Sequence, residues 1–207
     1  MKKKLECYEM LLEDGNEVQL IALVNKPAIQ VDFMTFSETP REGEVKMAAN
    51  EELMVLTGPA LIPNKMIYRR DPDGYEYEVF FSENTVRAIA EQYLLMSNQR
   101  NSNIEHMESI EDKVCLFESW LIEDPKRDKA TALGFGLPKG TWMVSLKVLD
   151  KELWYETVKN GEVRGFSIEG NLAMRLPSPA VTEAMALAPD YDEQLRRVMD
   201  ILKRVRS

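Results

Sequence analysis

A serine between two glycines stands out in the segment Gly165-Phe-Ser-Ile-Glu-Gly170. In an extended conformation Phe166 and Ile168 point to one face, while Ser167 and Glu169 point to the other. The apolar pair can anchor the segment in a core and leave Ser167 facing a groove. Glycine on both sides leaves the backbone open to close approach by a substrate or by another strand. The pattern is compatible with a nucleophilic hydroxyl.

A serine hydroxyl is a weak nucleophile and needs a base. The chain has a single histidine, His106, so a histidine base can only be that residue. A lone histidine is more often an ordinary surface or hydrogen-bonded side chain. The Ser167 segment is what favours a catalytic role for it, because folding can bring together triad members that are distant in sequence.

A Ser–His pair usually needs a third group that orients the imidazole. Glu118 lies in a predicted strand, 114–122, on a face that is otherwise apolar, where an unpaired carboxylate is costly to bury. Glu118 is either the orienting group or one half of a salt bridge to an arginine, unless the other face of this strand is the buried one. Glu169, on the Ser167 side of its strand, is the alternative, unless it is a plain solvated carboxylate. Asp124 is a weaker candidate.

Acyl transfer also needs hydrogen-bond donors for the developing oxyanion. Backbone N–H groups near Gly165 or Gly170 could serve, with positive charge from Arg164 or Arg175. For each arginine taken singly, surface charge is the better explanation.

The elements that must position these residues are mostly strands. The Asp71-Pro-Asp-Gly74 segment predicts a hairpin turn, and apolar residues spaced by three and four predict a helix over 82–99. Alternation and apolar runs predict strands over 17–24, 31–36, 53–62, 67–70, 75–81, 114–122, 141–149 and 163–172, with a short helix over 151–159. Composition changes after residue 172. We expect a mainly β domain over 1–175, and a linker with an amphipathic, basic helix over 176–207.

Charge and cysteine content exclude several classes of function. The chain has 35 acidic and 26 basic residues, a net charge of −9, which argues against sequence-independent nucleic-acid binding. Cys7 and Cys115 have no cysteine or histidine close by at metal-ligand spacing, so we expect no zinc site and no cofactor. No signal peptide and no apolar run long enough to span a bilayer is evident.

The combination of motifs resembles a known family. The matching segments are His106, Glu118-Ser-Trp120, Gly140-Thr-Trp142, Gly165 to Gly170, and, earlier, Ala22 to Ala28, Thr57 to Pro63, Ile67-Tyr-Arg69 and Phe80-Phe-Ser82. They are similar to the XkdF-like phage serine proteases, relatives of the prohead proteases that mature the capsids of tailed phages. The resemblance covers roughly residues 17–172.

The resemblance implies a fold and an activity. The fold would be α+β but mainly β: a closed or partly closed β-barrel flanked by helices, as in the herpesvirus assemblins. The activity would be serine endopeptidase, with His106 as general base and Ser167 as nucleophile. The herpesvirus enzymes use a second histidine as third member. Since this chain has none, a carboxylate or a simple Ser–His dyad must stand in.

The resemblance also implies partners and a location. Prohead proteases work inside the procapsid, in the host cytoplasm, on scaffold and major capsid proteins; a homodimer is left open, and neither a nucleic acid nor a membrane is expected as a partner. The segment from Ala22 to Ala28 resembles one that follows the serine in other prohead proteases. Here it precedes Ser167, which is compatible with a circularly permuted barrel.

A second class of function stays open: a catalytically inactive procapsid protein that scaffolds or binds. The amphipathic basic helix expected near the C-terminus would suit docking on a partner.

The C-terminal appendage generates a prediction about self-processing. Residues 176–207 begin with a proline-rich break and contain a small-residue stretch, Ala184 to Ala188, that looks accessible to cleavage. Mass spectrometry of aged, active protein should show loss of this tail. A tail that stays intact on an active protein would contradict self-processing.

Overall fold

The computed structural model describes residues 5–29, 34–36, 53–110 and 112–179. The strands are β1 (Glu6–Leu11), β2 (Glu17–Val24), β3 (Met34–Phe36), β4 (Val55–Leu61), β5 (Ile67–Arg70), β6 (Glu76–Phe81), β7 (Ser102–Ile104), β8 (Glu108–Ser109), β9 (Val114–Leu121), β10 (Trp142–Val148), β11 (Gly165–Asn171) and β12 (Ala173–Arg175). The α-helices are α1 (Glu83–Leu95), α2 (Lys129–Ala132) and α3 (Lys151–Leu153); a 3₁₀ turn covers Asn98–Arg100, and a π-helical turn over Trp154–Val158 follows α3. The chain is therefore mainly β.

The strands form three four-stranded sheets, in the orders β12-β1-β6-β5, β3-β4-β10-β9 and β11-β2-β7-β8. The expectation of a closed or partly closed, assemblin-like barrel is wrong, because none of these sheets closes on itself within the described residues. Two of the pairings, β1 with β6 and β2 with β7, are parallel. Parallel neighbours require crossover connections, so the chain does not follow the up-and-down path that closes a simple barrel. Because the described residues form no barrel, the circularly permuted barrel is excluded as well.

Local sequence signals position several elements correctly. The backbone N–H of Gly74 donates to Asp71 O at 2.9 Å, and Gly74 has φ +83°, a conformation in which glycine alone has no steric cost. This turn joins β5 to β6 as an antiparallel hairpin. Helix α1 starts after Ser82, whose hydroxyl accepts from Thr85 N at 3.4 Å. It ends before residue 99 because Ser97 adopts a left-handed conformation, φ +60°.

Strand β4 runs through Gly58 and Pro59 within the stretch where a strand is expected, 53–62. Its register with β10 shifts there, since Trp142 pairs with Leu61 and Met143 pairs with Pro59. One residue of β4 is left over between these pairs, which is a β-bulge. The proline is accommodated at this irregularity.

The core lies where α1, β2, β4, β9, β10 and β11 pack together. Its largest fully buried side chains include Trp142, Trp154, Tyr93 and Phe166. The rings of Tyr93 in α1 and Trp142 in β10 meet edge to face, with centroids 5.6 Å apart. Burying rings of this size stabilises the packing of the helix on the sheet.

Several elements were not expected from the sequence: β1, β7, β8, β12 and α2. They are short or poorly alternating. By its internal contacts the chain divides into Met1–Leu176 and Pro177–Ser207. The expected C-terminal helix lies outside the described residues, so the domain boundary at 175 stays a prediction. Among the described residues no helix is long and apolar enough to cross a membrane.

Gly170 is held where β11 approaches β2 most closely, which generates a stability prediction. The pairing register shifts between Glu169 and Gly170, and a Cβ at Gly170 would lie 2.2 Å from Glu17 O and 2.7 Å from Val18 Cα. Because both obstacles are backbone, Gly170→Ala should lower the free energy of unfolding by about 1–3 kcal/mol in denaturant titrations.

Gly136→Ala is the matched control, because a Cβ there meets nothing within 4 Å. We expect it to leave stability nearly unchanged. Equal stability of the two variants would contradict the close approach of β11 to β2.

Candidate active site

The candidate nucleophile and base lie on one sheet, on either side of β2. Ser167 of β11 pairs with Ala22 of β2, and Ala22 pairs with Asn103 of β7. Directly paired residues share a face of the sheet, so these three side chains form one row. Its middle member has only a methyl group, which leaves room above β2 for side chains that reach across it.

His106 occupies the tip of the hairpin between β7 and β8. The turn closes with Met107 N donating to Ile104 O at 3.0 Å, and both central residues, Glu105 and His106, have positive φ, 49° and 60°. This is the turn type that matches the twist of a hairpin but favours Asn-Gly over larger residues. Two non-glycine residues here cost conformational energy, of a kind that collects at functional sites.

The strained turn is fastened to the end of β2. The backbone N–H of Glu105 donates to Leu23 O at 3.0 Å, and its carboxylate accepts from Asn25 N. Asn25 in turn donates from Nδ2 to Glu162 O at 2.8 Å, shortly before β11 begins. These bonds tie the histidine turn to the chain that enters the serine strand.

His106 Nδ1 is hydrogen-bonded to Glu169 Oε1. An ionised carboxylate can only accept, so Nδ1 is the donor, and a neutral imidazole in this tautomer has its lone pair on Nε2. The same Oε1 accepts from Asn103 Nδ2 at 3.1 Å. About 41% of the His106 side chain and 38% of the Glu169 side chain are exposed, so the pair is open to an incoming molecule.

Ser167 and Glu169 lie two residues apart on β11 and face the same side, as the alternation of the segment predicts. Phe166 is buried in the core and Ile168 packs against it, while Ser167 is half-buried. No hydrogen bond joins Ser167 Oγ to His106 in the described part of the chain. Catalytic hydrogen bonds of this kind often tighten only when substrate is bound.

The structure places Glu118 on a different sheet, in β9. Its carboxylate accepts from Ser145 Oγ at 2.7 Å and pairs with Lys129 Nζ, and Ser145 Oγ also meets Thr57 Oγ1 at 2.9 Å. Partial burial raises the carboxyl pKa, but the hydrogen bonds from Lys129 and Ser145 and the charge of Lys129 outweigh burial and leave the pKa of Glu118 below its ordinary value. Its partners make this carboxylate one end of a polar row across β4, β10 and β9.

The remaining sequence candidates are dispersed. Asp124 accepts from Lys126 N at 3.0 Å in an exposed loop, and Arg175 of β12 pairs with the buried Glu9 of β1 at 3.1 Å. Gly165 pairs with Val24 at the start of β11, and Arg164 N donates to Val24 O at 2.7 Å. The space beside the backbone of Gly170 is filled by the backbone of β2. No group of three or more His, Cys, Asp or Glu side chains in the described ranges could hold a metal ion.

Sequence reasoning missed two residues of the site, Asn103 and Glu105. Both lie in the hairpin of β7 and β8, whose strands of three and two residues are too short to alternate recognisably. The one available signal was a polar run, Asn101-Ser-Asn103, just before the only histidine.

A comparison with protein families identifies the chain. The model of the family described as "Putative phage serine protease XkdF" matches residues 45–175, more than half of the chain. The chain belongs to this family. The resemblance to the XkdF-like proteases is thus confirmed over these residues, whereas the segment from Ala22 to Ala28 lies outside the match. No curated protein and no solved structure matches.

The chain is therefore a member of a family of phage serine proteases. The matched residues include His106, Ser167 and Glu169, so both ends of the site lie within the family region. The match begins at residue 45, so β2, the strand between β7 and β11, lies outside it.

The Glu118 network generates a pH prediction. Because the pKa of Glu118 is lowered in the folded protein, its contribution to stability is fully present above its ordinary value of 4.5 and is lost as pH falls through the lowered pKa. Glu118→Gln should therefore be less stable than the parent near pH 7, by less than about 1 kcal/mol given its exposure. The difference should shrink below pH 4.5 in denaturant titrations.

Lys129→Met is the companion variant, since it removes the cation and keeps the carboxylate. It should show the same pattern. A parent–variant difference that stays constant from pH 7 down to pH 3 would contradict the lowered pKa.

Proposed function

We propose that this protein is a serine endopeptidase of phage prohead maturation, with Ser167 as nucleophile, His106 as general base and Glu169 as the orienting carboxylate. One observation carries this assignment. The only histidine pairs through Nδ1 with a carboxylate that lies two residues from Ser167, on the same face of the same strand. Family membership supplies the reaction class.

The reaction follows from which imidazole nitrogen is free. Glu169 accepts the Nδ1 proton, so Nε2 can take the proton of Ser167 Oγ as that oxygen attacks a peptide carbonyl. The imidazolium that forms is stabilised by the Glu169 carboxylate. It then protonates the leaving amine, and the acyl-enzyme is released by water that His106 deprotonates in the second half of the reaction.

Glu169 is favoured over the other carboxylates by its contacts. Glu118 is neutralised by Lys129 and accepts from Ser145, and Asp124 caps its own loop. A dyad without a third member is disfavoured because a carboxylate is already bonded to the imidazole.

Among the oxyanion candidates, Gly165 is favoured. It lies two residues before Ser167 in β11, on the same strand as the candidate nucleophile. Gly170 is disfavoured because the β2 backbone fills the space above it, and Arg175 because it pairs with Glu9 on another sheet. The Arg164 side chain is a second donor candidate, next to Gly165 in the chain.

The substrates we propose are the phage scaffold and major capsid proteins, met inside the procapsid in the host cytoplasm. Support comes from the phage origin of the family and from the resemblance of the motifs to prohead proteases. The exposed Met107, 84% accessible beside His106, offers an apolar contact to a peptide chain.

The decisive experiment is cleavage of purified scaffold and capsid proteins, followed by gel electrophoresis and mass spectrometry. Ser167→Ala and His106→Ala should each slow cleavage by about 10³-fold or more, and Glu169→Gln by roughly 10²- to 10⁴-fold. Glu118→Gln is the matched control, since it makes the same chemical change on another sheet. It should cut at nearly the rate of the parent.

Two results would overturn this assignment. Unchanged cleavage by both Ser167→Ala and His106→Ala would remove the protease site from these residues. A parent protein that binds scaffold but never cuts it would favour the alternative, a catalytically inactive scaffolding or binding protein of the procapsid.

A further inference from the structure

Asn103 is a buried polar side chain in direct contact with the site, although neither its type nor its position marks it as a reactant. Only 7% of the residue is exposed. Its Nδ2 donates to Glu169 Oε1 at 3.1 Å, and this is the oxygen that also pairs with His106 Nδ1. Two N–H donors from different residues therefore converge on one carboxylate oxygen.

The orientation of the Asn103 amide is dictated by Glu169. If the amide were turned over, Oδ1 would face a carboxylate oxygen, and two acceptors would repel each other. With Nδ2 facing Glu169, Oδ1 is buried and has no hydrogen-bond partner among the residues that the structure describes. A buried acceptor without a partner carries a desolvation penalty, and most buried side-chain polar atoms avoid it. The site retains this penalty in exchange for the bond to Glu169.

The backbone gives Asn103 little freedom to relax. It pairs with Ala22 of β2 on one side and with Ser109 of β8 on the other. Its neighbour Ser102 accepts from Ile110 N at 2.9 Å, which closes the hairpin below it. Asn103 therefore lies on a strand that is paired on both sides, and this fixes the position of its amide.

The Glu169 carboxylate needs a fixed hydrogen-bond donor to keep it in place. Its side chain is 38% exposed and extends from β11 across β2 to a histidine on a turn. An unheld carboxylate in this position would exchange its bond to Nδ1 for bonds to water. The imidazole, released from it, would no longer be held with Nδ1 toward β11.

We propose that Asn103 is a positioning residue of this protein: it anchors Glu169 so that the carboxylate fixes the tautomer and orientation of His106. The effect of this role on catalysis rests on the proposed function, whereas the anchoring of Glu169 by Asn103 does not. Asn103 touches no reacting atom and acts only through Glu169 and His106.

The single histidine makes the test direct, because protein labelled with ¹⁵N-histidine contains one imidazole. In the parent, the ¹⁵N shifts at a pH where the ring is neutral should report the proton on Nδ1, with a downfield Nδ1–H resonance. Asn103→Ala should lose that resonance and shift toward the mixed tautomers of a free imidazole. Asn103→Ser, whose hydroxyl is too short to reach Glu169, should do the same and replaces Asn103→Ala if that variant does not fold.

Asn98→Ala is the matched control. Asn98 is also buried and donates from Nδ2, at 3.1 Å, but to Val18 O rather than to the site. It should lose stability and leave the His106 resonances unchanged. A coupling test completes the design: in a Glu169→Ala background, adding Asn103→Ala should produce no further change in the His106 shifts, because Asn103 acts only through Glu169.

The activity measurement separates this inference from the proposed function. Asn103→Ala should lower kcat for scaffold cleavage roughly tenfold to a hundredfold with KM unchanged. His106 resonances identical to those of the parent in both Asn103 variants would overturn the positioning role, whatever the cleavage rates. If the parent cuts nothing but the His106 resonances shift in the Asn103 variants, the positioning of His106 is upheld and the assignment as a protease is overturned.

Discussion

The site depends on one interaction, the hydrogen bond between His106 Nδ1 and the Glu169 carboxylate across β2. It joins a turn after β7 to the strand that carries Ser167, and no other hydrogen bond among the described residues connects the histidine side chain to that strand. The interaction is made possible by β2, which pairs antiparallel with β11 and parallel with β7. A small residue at the middle of the row, Ala22, lets the longer side chains meet above the sheet.

Holding the histidine there has a conformational cost. Glu105 and His106 both adopt left-handed backbone conformations, and each costs about 1 kcal/mol or more for a residue with a side chain. The cost is offset by the bonds of Glu105 to Leu23 and Asn25 at the end of β2. Asn103 adds a second cost, its unpartnered Oδ1. Both costs fall at the candidate site, as is common at functional sites, although Met54, Asn64 and Ser97 also have positive φ elsewhere in the chain.

The sequence predicted what depends on local patterns. The Asp71-Pro-Asp-Gly74 turn needs only its own residues, and the alternation of Phe166 and Ile168 with Ser167 and Glu169 defines two faces without knowledge of the fold. The same reasoning could not choose between Glu118 and Glu169. Both are carboxylates on strands with a mixed face, and only the positions of Lys129, Ser145 and His106 distinguish them.

The features that the sequence predicted wrongly or not at all depend on which strands become neighbours. The barrel was an inference from resemblance, and the parallel pairings of β1 with β6 and β2 with β7 replace it with three open sheets. The strand β7 has three residues, two of them polar, so no periodicity predicts it. Without β7, nothing in the sequence brings Asn103 beside Glu169. The family match confirms the reaction class but does not supply this geometry.

The most direct measurement of the central claim is the reaction of the folded protein with a fluorophosphonate, located by mass spectrometry of peptides. An activated serine displaces fluoride and keeps the phosphonyl group on its Oγ. We expect stoichiometric labelling of Ser167 in the parent and its loss in His106→Ala. A folded parent protein that cleaves scaffold while Ser167 remains unlabelled would contradict the account.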